Sequence, residues 1–251
     1  MNISLAPETI FYIKSFPVTN TLLMAWLELI FLALVVLIVR LRLARIPARL
    51  QSFIELIIES LLNFMEGVAG SRQNAKRFFP LVATIFIFVL ASNLVEIIPG
   101  LGTVGIWEEE HGSKLLIPFI RSNSADMNFT LALAILAVFA VQVFGVSSLG
   151  FFKYASRFIN FKNPIYFFVG ILELFAELAK IISFSFRLFG NIFAGEVLLL
   201  TMMFLLPFFG PIPFLFLEIF VGFVQALIFA TLTLIFLKIA TSAHEEGAAG
   251  H

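Results

Sequence analysis

Two basic residues, Lys180 and Arg187, stand inside an apolar run that extends from Pro164 to Leu206, and three carboxylates, Glu173, Glu177 and Glu196, share it. The next apolar run, Pro213 to Ala240, carries Glu218 and Gln225 seven residues apart. Groups that take up and release protons, set beside one that holds its charge permanently, are the parts of a short-range ion or proton path. A guanidinium stays protonated under physiological conditions, whereas an ammonium can escape an apolar medium by losing its proton. On a helix, Lys180 and Arg187 are close to two turns apart and share a face, with Asn191 one turn beyond Arg187. No acid lies three or four positions from Arg187, so its partner must come from another helix or another chain.

Glu196 follows Arg187 by nine residues, which puts it on the opposite face and about 13.5 Å along the axis. That separation disfavours a pair within the helix and suits an acid in a polar cavity of its own. Glu218 and Gln225 share a face of the last run, and an antiparallel arrangement of the two runs brings Glu218 toward Glu196, where two carboxylates titrate as a coupled pair. A hydrogen-bonded Glu–Gln network without transport is the plainer alternative for the last run. Glu177 reaches Lys180 three residues on, so Glu173, Glu177 and Lys180 also read as an ordinary ion-pair cluster with a snorkelling lysine.

Other polar residues rank lower. Asn93 and Glu96, and Asp126 and Asn128, either extend a wet entrance or act as interfacial caps; Asp126 suits a helix N-terminus electrostatically. Gln142 and Ser147 suit contacts between helices, and Glu28 is read as part of a packing and anchoring segment. Glu108, Glu109 and Glu110 beside His111 are expected on a solvated loop. The string GLGTVG lacks the preceding strand and following helix of a nucleotide-binding turn.

The elements that must hold these groups are apolar helices. The 251 residues are 61% hydrophobic and 13% charged, against about 25% charged in an ordinary globular chain, too few to cover a water-soluble surface. Five runs, residues 22–41, 78–98, 127–149, 164–206 and 213–240, each reach the roughly 20 helical residues that cross a hydrocarbon core. The fourth, at 43 positions and about 64 Å, must tilt strongly, run along the interface, or break. Asn163 is placed to cap it, Pro164 suits its first turn, and Pro207 with the following GPIP forces a tight turn into the fifth. Residues 50–66 repeat apolar positions at helical spacing around Gln51, Glu55, Glu59 and Asn63, as an amphipathic helix lying on the interface would. The stretch between the second and third spans, rich in Gly and Pro, is expected to be irregular. The fold expected is an all-α polytopic membrane protein, one membrane domain over residues 1–251, ending in a long tilted helical hairpin.

Eleven basic residues fall on one side of these spans: Arg40, Arg42, Arg45, Arg49, Arg72, Lys76 and Arg77, then Lys153, Arg157 and Lys162, then Lys238. Lys14, Lys114 and Arg121 fall on the other. The bias puts the N-terminus outside and the C-terminus, with Glu245 and Glu246, in the cytoplasm. The first twenty residues lack the basic head and continuous apolar core of a secretory signal. Zero net charge gives no case for nucleic-acid binding, and zero cysteines exclude disulfides, Cys-rich metal sites and a thiol nucleophile. No cofactor or metal is expected.

The string SFRLFGNIFAGE, Ser185 to Glu196, together with PIPFLFLEIFVGFVQALIFATLTLIFL in the last span, resembles the membrane-embedded subunit a of F-type ATP synthases. ASNLVEIIPG after the second span and SADMNFTLALA entering the third are similar to its corresponding segments. The resemblance implies that Arg187 faces the essential carboxylate of a rotating c-ring, and that Asn191, Glu196, Glu218 and Gln225 serve proton translocation. Glu218 stands where some members have histidine, a departure that keeps a titratable group. Asp126, Glu173, Glu177 and Lys180 are then half-channel candidates. It further implies a non-catalytic stator subunit with two offset half-channels, seated in a bacterial inner membrane beside peripheral-stalk b subunits and the rest of the complex. The competing reading from the residues alone is an independent proton-coupled secondary transporter, for which neither an inverted repeat nor a broken substrate helix is visible. A non-conducting membrane scaffold is a third.

Overall fold

A computed structural model describes residues 7–43, 49–95, 97–98, 104–110, 113–158, 164–207 and 209–242. Among them are seven helices: α1 (Asn20–Leu41), α2 (Arg49–Ala69), α3 (Arg72–Val95), α4 (Met127–Leu149), α5 (Phe151–Ala155), α6 (Pro164–Leu205) and α7 (Pro211–Ser242). Five of them, α1, α3, α4, α6 and α7, are long and apolar enough to cross a membrane. Their outer surfaces keep large apolar side chains exposed, among them Leu29, Ile30 and Phe31 of α1 and Phe168, Phe175 and Phe186 of α6. A surface of that kind on so many helices belongs in lipid, and the chain is a multi-pass membrane protein.

Helix ends follow local chemistry. Thr19 caps α1 by accepting from the Leu22 N–H (3.3 Å), and Asp126 caps α4 by accepting from Asn128 N–H (2.8 Å). The Ser71 hydroxyl accepts from Asn74 N–H (3.2 Å), so α3 begins at Arg72 rather than at Phe78, where the apolar run starts. Helix α7 begins at Pro211, since a proline in the first turn lacks only an N–H that would have no partner there. The α6 backbone is one helix of 42 residues, about 63 Å long, so the break that its length allowed does not occur.

The connection after α3 differs from the irregular loop expected. Strands β3 (Gly105–Glu110) and β4 (Ser113–Pro118) pair antiparallel, with Ile106 opposite Ile117 and Trp107 opposite Leu116. Ile, Trp and Leu on both sides of His111-Gly112 favour strands, a preference that the glycines, prolines and acidic run obscure in the composition. A second short hairpin, β1 (Thr9–Ile13) with β2 (Phe16–Thr19), precedes α1. Both hairpins cap the same end, since Asn20 Nδ2 donates to Pro118 O (3.4 Å); this is called the hairpin end here, and the opposite one the basic end. Glu96, His111, Asn163, Glu245 and Glu246 lie outside the described residues.

Helix α7 runs through the centre, packed against α3, α4, α6 and the end of α2. Phe78, Val82 and Val89 of α3, Ala134, Ala137 and Val141 of α4, Phe184, Leu188 and Ile192 of α6, and Ala226, Ala230, Leu234 and Leu237 of α7 form the core. Gly222 lets α7 approach α3, because a Cβ there would stand 3.1 Å from that of Asn93. Lys238 Nζ donates to Val68 O (3.0 Å), occupying a carbonyl in the last turn of α2. Helix α2 has the amphipathic pattern expected, with Ser52, Glu55, Glu59 and Asn63 along one open face. Helix α1 is peripheral: the residues it buries are Asn20, Thr21, Met24 and Glu28, at its hairpin end.

Candidate functional site

The long helix α6 carries three polar stations in order from the basic end: Glu173, Glu177 and Lys180, then Arg187, then Asn191 and Glu196. The first is joined to its surroundings. Lys180 Nζ donates to Glu177 Oε1 (2.6 Å) and sits 4.4 Å from the centre of the Phe236 ring on α7, while Arg157 Nε donates to Glu173 Oε1. Tyr154 Oη donates to Gln142 Oε1 (2.5 Å), and burial pushes the Tyr154 phenol above its ordinary value of 10.0, so that it remains a donor. Glu177 Oε2 is buried with no protein partner. The ion-pair reading of this cluster is therefore met in part, but an acidic oxygen is left over.

At the hairpin end, Glu196 meets a basic residue that the sequence reading had left on the loop. Arg121 Nη2 and Nε donate to Glu196 Oε2 at 3.0 and 3.3 Å, and the Arg121 side chain is 8% exposed. Glu218 comes from α7 to the same place: a Cβ on Gly195 would stand 2.7 Å from Glu218 Oε1, so a glycine next to Glu196 is what admits it. Glu218 is 5% exposed, and neither of its oxygens has a protein partner. Gln225, two turns along α7, is also buried. Asp126 accepts from the Thr21 hydroxyl (2.8 Å) as well as capping α4, so it is both a cap and part of a polar cluster. One turn further on, the Thr130 and Ser185 hydroxyls lie 3.1 Å apart, both fully buried.

Apolar packing separates these two polar regions. Along α4, every residue between Thr130 and Gln142 is apolar, and Ala134, Ala137, Val138 and Val141 are buried. On α6, Phe184 packs against Phe229 and Phe236 of α7 with ring centroids 4.8 and 5.7 Å away. Thr233 of α7 returns its hydroxyl to the Phe229 carbonyl (2.9 Å).

Arg187 lies between the two polar regions along α6, seven residues from Lys180 and nine from Glu196, on the outer side of the helix. Its Nη2 donates to Ser183 Oγ (3.2 Å), one turn back, and among the described residues it forms no ion pair. Small or short residues surround it on the open face: Ala176, Ala179, Ser183, Gly190, Asn191 and Ala194 are all exposed. Steps of three and four residues make them one stripe, of the kind that admits another helix at close range. Asn191 shares this face and does not reach the Glu196 and Glu218 pair.

Sequence reasoning missed Arg121 and Glu28. Arg121 opens the polar string RSNSAD, a signal that marked it as more than a loop cation. Glu28 accepts from Ser92 Oγ (2.6 Å) and Asn123 Nδ2 (2.8 Å) and is 3% exposed, so its segment does more than fill space.

Known proteins are similar to this chain over most of its length. The family model described as ATP synthase A chain matches residues 22–238. The chain is 30% identical to ATP synthase subunit a of Moorella thermoacetica over 92% of its own length and 94% of that protein's. It is 34% identical to ATP synthase subunit a of Campylobacter concisus, over 85% and 88% of the two chains, and 33% identical to that of Campylobacter jejuni subsp. jejuni serotype O:23/36, over 80% of each. With a match across all five spans and relatives covered over most of their length, the chain belongs to the ATP synthase A chain family.

Proposed function

We propose that this chain is the proton-translocating stator subunit of an F-type ATP synthase, non-catalytic itself, and that its two polar regions are half-channels opening on opposite sides of the membrane. The observation that carries this reading is the placing of Arg187: a permanent cation, with no acid partner among the described residues, on an open stripe of small residues between the two polar regions along α6. Lipid does not satisfy a guanidinium, whose insertion cost at a helix centre is about 2.5–3.5 kcal/mol on translocon scales. A carboxylate on a passing helix of a c-ring satisfies it.

The cycle follows from charge and solvation. Protons arrive from outside through the hairpin-end region, by way of Asp126, Glu196, Glu218 and Gln225, and neutralise a ring carboxylate. The neutral carboxyl can turn through lipid, which its charged form cannot do cheaply. After nearly a full turn it meets the basic-end region, where Glu173, Glu177 and Lys180 border the way to the cytoplasm, and loses its proton there. Arg187 attracts the resulting carboxylate and bars a direct proton leak past the divide, because a fixed cation repels a passing one. Each elementary charge that crosses about 100 mV contributes about 2.3 kcal/mol to rotation. Peripheral-stalk b subunits have the open face of α2 as a natural seat, and a bacterial inner membrane as their common location, with the N-terminus outside.

Arg187→Ala tests the reading in the assembled complex. ATP synthesis driven by an imposed proton gradient should be lost while the complex still assembles; synthesis at the parental rate would refute the proposed cycle.

A further inference from the structure

Helix α1 docks on the bundle through polar residues. Asn20, Thr21, Met24 and Glu28 fall on one face and are the residues it buries, while the rest of its length shows Leu, Ile, Phe and Val to the outside. Apolar packing would have served to anchor such a helix at lower cost. Instead Glu28 Oε2 accepts from Ser92 Oγ of α3 (2.6 Å) and from Asn123 Nδ2 of the short turn before α4 (2.8 Å). Its second oxygen, Oε1, is buried and has no protein partner, and Glu28 forms no ion pair among the described residues.

Further polar atoms continue from this pocket. Ser92 Oγ is also 3.4 Å from Asn123 Nδ2, and its carbonyl accepts from Ser122 Oγ (3.2 Å). The adjacent Asn93 donates to Gly222 O of α7 (2.9 Å), one turn from Glu218, and leaves its own Oδ1 buried without a partner, as are Asn123 Oδ1 and Ser124 Oγ. Polar side chains thus run from α1 through α3 to the Gly222 carbonyl, one turn along α7 from Glu218, which itself lies against Gly195 beside Glu196, the partner of Arg121.

We propose that Glu28 is a proton-carrying site, an outer station that hands protons from the hairpin-end surface through the Ser92, Asn93 and Asn123 cluster to Glu218. The inference rests on the proton-path reading above and adds a helix to it that the sequence had assigned to anchorage. In the step, a hydronium gives a proton to Oε1 and leaves as water; the O–H bond then breaks as a water nearer Glu218 takes the proton, and the carboxylate is restored. Among the described residues, the ionisable side chains next to Glu28 on the turn before α4 are Asp126, held by Thr21 and the Asn128 N–H, and Arg121, held by Glu196. An anchoring role needs only an acceptor oxygen; a proton-carrying role needs the second, titrating one.

The two roles separate in the assembled complex in sealed vesicles, with Arg187→Ala run alongside. Glu28→Gln keeps an acceptor for Ser92 and Asn123 and removes titration. It should slow gradient-driven ATP synthesis several-fold and flatten its dependence on outer pH, and Glu28→Asp should recover most of the rate. Parental rate and outer-pH profile in Glu28→Gln, with coupling lost in Arg187→Ala, would refute the Glu28 station and leave the wider cycle standing; coupling retained in Arg187→Ala refutes the cycle itself. Ser92→Ala keeps the carboxyl and removes one of its donors, so its outer-pH profile should shift even if Glu28→Gln assembles poorly. A profile unmoved in Ser92→Ala counts against the station.

Discussion

A guanidinium and a carboxylate that meet at the edge of a membrane bundle can hold each other only if both stay. Arg121 and Glu196 are such a pair, with side chains 8% and 21% exposed, so removing one partner strands the other in a poorly solvated place. Arg121→Gln should therefore lower the thermal stability of the solubilised protein more than the double change Arg121→Gln with Glu196→Gln, a non-additive result read from melting curves; simple addition would show that the pair does not act as one. In proton transfer the ranking changes, because Glu196→Gln removes titration with little change in volume. Gradient-driven flux should fall in that variant, and parental flux with parental pH dependence would mean that Glu196 has no part in the path. Tyr154 offers a test at alkaline pH. Burial raises its phenol, so the folded state resists ionisation, and stability should decline as pH climbs above the ordinary value of 10.0. Tyr154→Phe should remove that decline, as followed by melting temperature against pH, at the cost of the Gln142 hydrogen bond, about 1 kcal/mol.

Helices in this chain were legible wherever apolar run and helix coincide. Residues 127–149 are one example, since Asp126 ends the polar string and Gly150 follows the last apolar residue with φ 83°. Reading was poorer where the helix outruns its apolar stretch. The first six residues of α3 are Arg-Gln-Asn-Ala-Lys-Arg, invisible to hydropathy, and its start depends on a cap by Ser71 that acts at the scale of one hydrogen bond. Strands β3 and β4 were hidden for another reason, as a pairing of two short segments has no periodic signal long enough to rival a Gly-rich composition. Within the site, the residues that share a helix were readable from spacing: Arg187 with Lys180 and Asn191, and Glu177 with Lys180. Arg121 with Glu196, Glu28 with Asn123 and Asn93 with Gly222 join positions 75, 95 and 129 residues apart, and no local rule connects them. Close approach between elements also gives a stability test. A Cβ on Gly145 would lie 2.4 Å from Tyr154 Cε2 of α5, so Gly145→Ala must displace that ring and should cost about 1–3 kcal/mol in unfolding measurements. An unchanged melting profile would show that α5 moves away without strain.

At the scale of the whole molecule, charge and lipid decide orientation and partners. Basic residues crowd the end where α2 meets α3 and α7, and the opposite end carries the two hairpins. The chain has zero cysteines, so single ones report topology without background. In right-side-out vesicles a membrane-impermeant maleimide should label Val104→Cys at the hairpin end and spare Asn74→Cys, and inverted vesicles should reverse the pattern. The reverse outcome would turn the half-channels around. Most of the exterior of the spanning helices suits lipid, but the stripe of Ala176, Ala179, Ser183, Gly190, Asn191 and Ala194 that surrounds Arg187 does not. A surface so short in side chains leaves lipid poorly packed and leaves the guanidinium without a carboxylate among the described residues, which a passing ring helix would supply. The most direct measurement is disulfide cross-linking in the assembled complex, with single cysteines at Ala179, Ser183, Asn191 and Ala194 paired with cysteines flanking the essential carboxylate of the ring subunit. A ring seated on this stripe gives cross-links along it and none from Phe175→Cys or Ile182→Cys on neighbouring exposed positions. Absence of cross-links from the stripe, with the ring caught instead on another helix, would contradict that seating.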